Sequence, residues 1–133
     1  MSDWEAPAKL NLDLRVAPPD RNGMHPLRSL IQTIEWSDLL IIEVGDEDAL
    51  HVRGADLPDD RENLVWKAVD GLGVDDRPPL DVVLEKRIPE AAGLGGGSSD
   101  AAAILQAVGS DLLGLPASRV RQVAAAVGAD VAY

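Results

Sequence analysis

The chain has 133 residues and a mass of 14.1 kDa, which is the size of one domain. Apolar residues make up 46 % of it, with no Phe, which excludes a disordered chain and predicts a core of small aliphatic side chains. The formal net charge of −11 opposes binding to nucleic acid and to anionic membranes. The absence of Cys excludes disulfides and thiolate metal sites. Because there is also no signal pattern and no long apolar run, the sequence predicts a soluble cytoplasmic protein.

The first half of the chain has the pattern of strands. Polar and apolar residues alternate strictly over residues 9–16, which predicts a half-buried strand. Two further strands are expected at residues 27–36 and 39–44, separated by a break at residues 37–38. Residues 50–52 form a short fourth candidate.

A helix and another strand are expected next. Asp59 with Glu62 three residues later resembles a capping box that opens a helix, and residues 64–72 give this helix one apolar face. Residues 80–88 are predicted to form a strand that ends at Pro89.

The chain closes with two predicted helices. The first covers residues 99–113 and turns an inner face of Ala101, Ile104, Leu105, Val108 and Leu112 toward the core. The second is capped by Ser118 and stopped by Gly128. Strands followed by a mixture of strands and helices indicate an α+β fold.

The most specific feature is a glycine-rich segment between the last strand and the helix after it. Four of the five residues from Gly93 to Gly97 are glycine. Without Cβ atoms, successive amides can converge on one anion and positive φ becomes cheap, and the following helix adds its N-terminal amides and dipole. Ser98 and Ser99 supply hydroxyls for a phosphate oxygen or a bound Mg²⁺. The segment fits neither the GxxxxGK[ST] P-loop nor the GxGxxG fingerprint. The alternative is a flexible turn with a Ser or Asp cap.

This segment and three others together resemble one enzyme family. Residues 89–99 and the alanine-rich helix after them resemble the phosphate loop of the superfamily of galactokinase, homoserine kinase, mevalonate kinase and phosphomevalonate kinase. The motifs APAKLNL at residues 6–12, NGMHPL at residues 22–27 and GADV at residues 128–131 are similar to those of the 4-diphosphocytidyl-2-C-methyl-D-erythritol kinases within it. The four motifs occur in the family's order.

The resemblance implies both a fold and an activity. It implies that residues 1–133 are the N-terminal ATP-binding domain of a kinase, with a mixed β-sheet and helices packed on one face, and that the C-terminal domain is absent from this chain. The implied reaction is the ATP-dependent phosphorylation of a hydroxyl of 4-diphosphocytidyl-2-C-methyl-D-erythritol in non-mevalonate isoprenoid and terpenoid precursor biosynthesis. The implied ligands are ATP, Mg²⁺ that arrives with it, and a cytidine-diphosphate-linked polyol, without nucleic acid or membrane. A transferase of this kind is cytoplasmic.

By the same resemblance, Lys9 and Asp130 are the catalytic residues. Lys9 would stabilise charge on the substrate hydroxyl or the γ-phosphoryl group, and Asp130 would accept the proton of that hydroxyl. Asn11, Met24 and His25 correspond to substrate-binding positions, although the family usually has Tyr where this chain has Met24.

The nucleotide positions also follow from the resemblance. Asn63 and Lys86 align near the family's adenine pocket. From the sequence, no metal site formed by protein ligands alone is expected. The implied ATP-binding positions are consecutive in the sequence: Pro89, Glu90, Ala91, Ala92, Gly93, Leu94, Gly95, Gly96, Gly97, Ser98 and Ser99.

Three other functions stay open at this point. The chain could be another small-molecule kinase of the same superfamily, a non-catalytic nucleotide-binding fragment, or an RNA-binding domain of the ribosomal type, against which the charge of −11 argues. At the level of single residues, Lys9 could be a solvated strand lysine, His25 a surface turn residue and Asp130 a turn-capping residue.

Overall fold

The fold is built on a four-stranded mixed sheet. The computed structural model describes residues 2–16, 27–89 and 96–128, and the side chains of residues 3–8, 36–89 and 96–128. In these ranges the strands are β1 (Ser2–Val16), β2 (Leu27–Val44), β3 (Ala49–Arg53) and β4 (Leu80–Glu85). Their spatial order is β1-β2-β4-β3, with β3 parallel to β4 and the other two pairs antiparallel. The strands predicted at residues 9–16, 27–36 and 50–52 are confirmed.

The helices pack together against the sheet. They are α1 (Leu64–Gly71), α2 (Gly96–Ile104), which continues into a π-helical segment (Leu105–Leu112), and α3 (Ala117–Val127). None of the helices in the described ranges is long and apolar enough to cross a membrane. One core joins them to the sheet residues Leu40, Ile42, Leu50, Leu80, Val82 and Leu84. The predicted α+β class is confirmed.

The predicted break at Ser37 and Asp38 is wrong, because β2 runs through both residues. Ser37 pairs with Pro7 and Asp38 with Ala6, while Lys9 pairs with Thr33. Two steps along β1 therefore correspond to four steps along β2, which is an irregularity of the bulge type. The polar pair Ser37 and Asp38 therefore lies next to an irregularity in the pairing of β1 with β2 and does not mark the end of a strand.

The predicted boundaries of α1 and β4 also need correction. The Oδ1 atom of Asn63 accepts a hydrogen bond from the amide of Val65, so Asn63 is the N-cap and the capping box of Asp59 and Glu62 is not formed. The carboxylate of Asp60 accepts a bond from the amide of Glu62, which makes a turn before the helix. β4 ends at Glu85 instead of residue 88.

The last two helices differ from prediction at their ends. α2 begins at Gly96, three residues earlier than expected, and α3 begins after Pro116, with no side-chain cap from Ser118. Leu112 is 42 % exposed and not on the inner face. The amide of Leu113 bonds to the carbonyl of Val108, five residues back, and this wider winding moves Leu112 off the apolar stripe. Gly128 ends α3 as predicted.

Candidate functional site

The described part of the glycine-rich segment forms the first turn of α2. Gly96, Gly97, Ser98 and Ser99 begin the helix, and all four are partly exposed. The first four amides of an α-helix have no partner within it, so they are available to an anion. Pro89 is exposed on the strand side of the segment. Residues 90–95 lie outside the described residues, so their predicted contact with ATP stays a prediction.

The other predicted site residues are placed only in part. Lys9 lies in β1 opposite Thr33, and Asn11 lies opposite Ile31. α2 packs against β1, which brings the backbone of that strand close to the helix that carries the serines. Met24, His25 and Asp130 lie outside the described residues. The predicted meeting of Lys9 with Asp130 therefore stays a prediction.

The glycines at the start of α2 are required for a different reason from the one that the sequence indicated. Positive φ occurs among the described glycines at Gly54, Gly73 and Gly114, and not at Gly96 or Gly97. A Cβ atom on Gly96 would lie 3.1 Å from Cγ2 of Ile88 and 3.3 Å from Nζ of Lys86. At Gly96 it is therefore the close approach of the strand end, and not a positive φ, that disfavours a side chain.

A buried ionic cluster of Asp38, Lys86 and Asp100 lies directly behind this turn. Nζ of Lys86 is 2.6 Å from Oδ2 of Asp38 and 2.8 Å from Oδ2 of Asp100. The other oxygen of Asp38, Oδ1, accepts bonds from the amides of Arg87 at 2.6 Å and Ile88 at 2.8 Å. The three side chains are at most 3 % exposed. Oδ1 of Asp100 is buried and has no hydrogen-bond partner among the described residues.

The periodicity of the elements explains why these charges are buried. Leu80, Val82 and Leu84 of β4 face the core, and Lys86 continues their period of two. The register that pairs Leu39 with Glu85 places Asp38 opposite Lys86. Sequence reasoning missed Asp38 and Asp100. The signal that could have found them is a charged residue at a core-facing position of each element.

The pKa values of the two carboxyls are displaced in opposite directions. Burial, reinforced by the neighbouring carboxyl of Asp38, raises the pKa of Asp100 to about 8, although Lys86 opposes the rise. Burial also acts to raise the pKa of Asp38, but its hydrogen bonds outweigh burial and lower that pKa. For Lys86, burial acts to lower the pKa, and the bonds to Asp100 and Asp38 outweigh it. At neutral pH the cluster therefore holds one ammonium, one carboxylate and one protonated carboxyl, with no net charge.

A pocket adjoins both the cluster and the helix start. It has a volume of about 170 Å³. This is smaller than the roughly 300–1,000 Å³ of complete small-molecule sites, so it suits one part of a ligand. Polar groups of Asn63, Lys86 and Asp100 lie among apolar walls. Its lining consists of Leu57, Pro58, Glu62, Asn63, Leu64, Leu84, Lys86, Gly97 and Asp100.

A second charged cluster lines a larger pocket of about 540 Å³. Arg77 donates to both oxygens of Asp48, at 2.9 and 2.7 Å, and Arg61 donates to Oδ2 of Asp48 at 2.7 Å. Arg61 also lies over the ring of Trp66, 4.6 Å from its centroid. The charges of Asp48, Arg61 and Arg77 thus pair with one another. Within the described ranges, no group of three or more His, Asp or Glu side chains could hold a metal ion.

Comparison with known proteins identifies the family of this chain. The family described as GHMP kinases N terminal domain matches residues 63–133. The 4-diphosphocytidyl-2-C-methyl-D-erythritol kinase of Geobacter sulfurreducens is 41 % identical over 135 residues, which cover 97 % of this chain and 48 % of that protein. The enzyme of the same name from Deinococcus radiodurans is 43 % identical over 135 residues, covering 96 % of this chain and 44 % of that protein.

A solved structure of similar fold also matches this chain. The crystal structure of a 4-(cytidine 5'-diphospho)-2C-methyl-D-erythritol kinase matches with a TM-score of 0.78 and 38 % identity, over 98 % of this chain and 47 % of that one. The chain thus spans about half the length of the relatives that it matches. These matches confirm the family inferred from the four sequence motifs. The chain belongs to the GHMP kinase family, whose N-terminal domain matches its residues 63–133.

Proposed function

We propose that this chain is the nucleotide-binding part of a cytoplasmic kinase that phosphorylates a hydroxyl of 4-diphosphocytidyl-2-C-methyl-D-erythritol with ATP, in isoprenoid precursor biosynthesis. The observation that carries the proposal is the start of α2. A turn of two glycines and two serines, Gly96–Ser99, lies beside a partly apolar pocket of about 170 Å³. Relatives named as this enzyme are about 40 % identical to the chain. Such a turn binds phosphate through amides without a basic side chain, which accords with the net charge of −11.

The pocket would take the adenine base of ATP. Nδ2 of Asn63 donates to the carbonyl of Pro58 at 2.8 Å, and Oδ1 accepts from Val65 at 3.0 Å, so the amide is held in one orientation. One N–H of this amide is left for a ring nitrogen. Leu57, Leu64 and Leu84 provide apolar contact for the ring faces. Phosphates would then extend toward the amides of Gly96 and Gly97.

The reaction needs alignment and charge stabilisation more than covalent chemistry. The substrate hydroxyl oxygen forms a bond to the γ-phosphorus, the bond from that phosphorus to the β–γ bridging oxygen breaks, and ADP leaves. Asp130 would accept the hydroxyl proton, and Lys9 would stabilise the developing negative charge. Asn11, Met24 and His25 would hold the cytidine-linked substrate.

Magnesium would enter with ATP. The residues present fit this mode of binding, because Ser98 and Ser99 offer hydroxyls in the first turn of α2. Mg²⁺ is commonly held by substrate phosphates and only one or two protein groups. The ion would neutralise phosphate charge, while the α2 amides orient the phosphates.

Two measurements test the proposal. Calorimetry on the 133-residue chain should detect ATP binding. For catalysis, the chain is joined to the second half of the Geobacter sulfurreducens enzyme and supplied with 4-diphosphocytidyl-2-C-methyl-D-erythritol. Asp130→Asn should then lower kcat by roughly 10²–10⁴ with ATP affinity nearly unchanged, as expected for loss of a general base. An Asn variant within about threefold of the parent would instead identify Asp130 as a turn-capping residue.

Met24 favours a second candidate, which is a kinase of the same superfamily with a different alcohol substrate. Tyrosine can stack on cytosine and form a hydrogen bond, whereas methionine can only pack against the ring. A panel of alcohols with and without the cytidine group discriminates the two. Turnover of a substrate without cytidine, at a kcat/KM equal to or above that of the cytidine-linked one, would favour the second candidate.

A further inference from the structure

The two ends of the glycine-rich segment meet in the same buried cluster. At the strand end, the amides of Arg87 and Ile88 donate to Oδ1 of Asp38. At the helix end, Asp100 accepts from Lys86, which also donates to Asp38. Residues 88 and 100, separated by eleven residues of sequence, are thereby connected through three side chains.

The strand end of this connection is fixed independently of the cluster. The amide of Lys86 donates to the carbonyl of Arg53 at 2.8 Å. Gly54 has a φ of +83°, and a Cβ atom there would lie 2.4 Å from the carbonyl oxygen of Lys86. The backbone that carries Lys86 therefore lies close against the end of β3 and is hydrogen-bonded to it.

The helix end depends on the cluster and on close packing. Gly96 approaches Ile88 and Lys86 so closely that an added Cβ would lie 3.1 to 3.3 Å from their atoms. The bond from Lys86 to Asp100 fixes the rotation of α2 about its axis, because Asp100 lies one turn after Gly96. The direction in which the free amides of the first turn point follows from that rotation.

Stability alone does not account for an ionic cluster at this position. Buried ion pairs are often no more stabilising than apolar groups of similar volume, because charges lose their hydration. Directional bonds, in contrast, define geometry that apolar packing leaves loose. Asp38 uses both oxygens in this way, one for the two strand-end amides and one for Lys86.

We propose that Asp38, Lys86 and Asp100 form a positioning device that links the strand end at Arg87 and Ile88 to the first turn of α2, so that the amides of this turn, Gly96–Ser99, are held in place for phosphate. The inference rests on the proposed function in one respect, that the bound group is the phosphate chain of ATP. Asp38 is a positioning residue, since it acts through the backbone of the strand end. Asp100 positions the first turn of α2 through Lys86 and also lines the pocket of about 170 Å³.

Amide hydrogen exchange on the ligand-free 133-residue chain tests the device directly. Asp100→Ala should raise the hydrogen-exchange rates of the Arg87 and Ile88 amides by about tenfold or more, relative to amides in α3. The amides of α2 beyond the first turn of that helix should show a similar rise. Asp100→Asn should recover most of the protection, because its amide oxygen still accepts from Lys86. Asp48→Asn is the matched control, since it removes a charge from the other cluster. Unchanged protection at Arg87 and Ile88 in Asp100→Ala would overturn the device.

ATP affinity, measured by calorimetry on the same variants, tests what the device is for. Asp100→Ala should weaken ATP binding by about tenfold, Asp100→Asn should restore it to within about threefold, and Asp48→Asn should leave it unchanged. Circular dichroism confirms that each variant is folded. ATP binding that is insensitive to Asp100→Ala overturns the positioning role alone. If the parent chain binds no ATP, the proposed function and the role toward phosphate fail together, while the exchange experiment still decides whether the ends are held.

Discussion

Two clusters of Asp side chains with basic partners lie in different parts of this domain, one with two arginines and the other with one lysine. In the first, Asp48 accepts two bonds from Arg77, one from Arg61 and one from the amide of Leu80. In the second, Asp38 accepts from Lys86 and from two backbone amides, and Asp100 shares the same lysine. Each cluster joins segments that are distant in sequence.

The two clusters differ in charge balance and in burial. Hydrogen bonds from Arg77, assisted by Leu80 and Arg61, hold the pKa of Asp48 well below its usual range, although burial opposes them. In contrast, burial and the neighbouring carboxyl of Asp38 raise the pKa of Asp100 to about 8, although Lys86 opposes the rise. The Asp48 cluster stabilises the fold, whereas Oδ1 of Asp100 lies beside a pocket with no hydrogen-bond partner among the described residues. A strongly raised pKa beside a pocket is typical of functional sites.

Removing the charge of Asp38 should give the largest effect. In Asp38→Asn the side-chain oxygen can still accept from the amides of Arg87 and Ile88. The side-chain NH₂ then faces the ammonium of Lys86, so two hydrogen-bond donors oppose each other. Breaking a buried ion pair by removing one partner costs about 3–5 kcal/mol. The free energy of unfolding, measured by urea denaturation, should fall by this amount. A loss below about 1 kcal/mol, the value for exposed pairs, would show that the cluster is hydrated.

The pH dependence of stability should identify Asp100 as the strained member. The pKa of Asp100 is about 8 in the folded chain, compared with its ordinary value of 3.8. Between pH 3.8 and pH 8 the folded state therefore holds a proton that the unfolded state has released. Stability therefore falls as pH rises from 4 to 8. Asp100→Asn removes this proton, so its stability relative to the parent should increase by roughly 3–4 kcal/mol between pH 5 and pH 8. Parallel curves for parent and variant would contradict the raised pKa.

The corresponding change in the other cluster should be smaller. Arg77→Met removes both bonds to Asp48, but Arg61 and the amide of Leu80 still satisfy the carboxylate. A hydrogen bond to a charged group contributes about 1.5–3 kcal/mol, and this is the expected loss at pH 7. Because the pKa of Asp48 is lowered, the stabilisation is present above pH 3.8 and is lost as pH falls further. The difference between parent and Arg77→Met should therefore shrink in urea titrations below pH 3. A constant difference would contradict the role of the Asp48 charge.

Local sequence patterns were sufficient for most elements of the fold. The period of two in Leu80, Val82 and Leu84 predicts β4, and all three side chains are at most 1 % exposed. The polar pair Ser37 and Asp38 predicted a break, because no local pattern indicates a partner for a buried carboxylate. That partner is Lys86, 48 residues away.

The candidate site was predictable only where its chemistry is local. The glycines and serines at residues 96–99 occur together, so their place between a strand and a helix could be inferred from the sequence, although the helix begins three residues earlier than predicted. The cluster behind them joins Asp38, Lys86 and Asp100 from three elements, through bonds that span 48 and 14 residues. The register of β2 against β4 brings Asp38 to Lys86, and the packing of α2 on the sheet brings Asp100 to the same lysine. Register and packing are long-range properties.

The smallest effect is expected at Arg61, the exposed arm of the Asp48 cluster. Its side chain is 53 % exposed, compared with 11 % for Arg77, although both donate to the same carboxylate. Exposed ion pairs contribute about 0.2–1 kcal/mol, and the stacking of Arg61 over Trp66 adds about 0.5–1 kcal/mol at an exposed site. Arg61→Ala should therefore lower the free energy of unfolding by about 1 kcal/mol, and less in about 0.5 M NaCl, because salt screens exposed charges. Arg61→Lys is the matched control, since it keeps the charge and loses the planar stacking group. If Arg61→Ala were as destabilising as Arg77→Met, burial would not distinguish the two arginines. The contrast between exposed and buried charge would then fail within a single cluster.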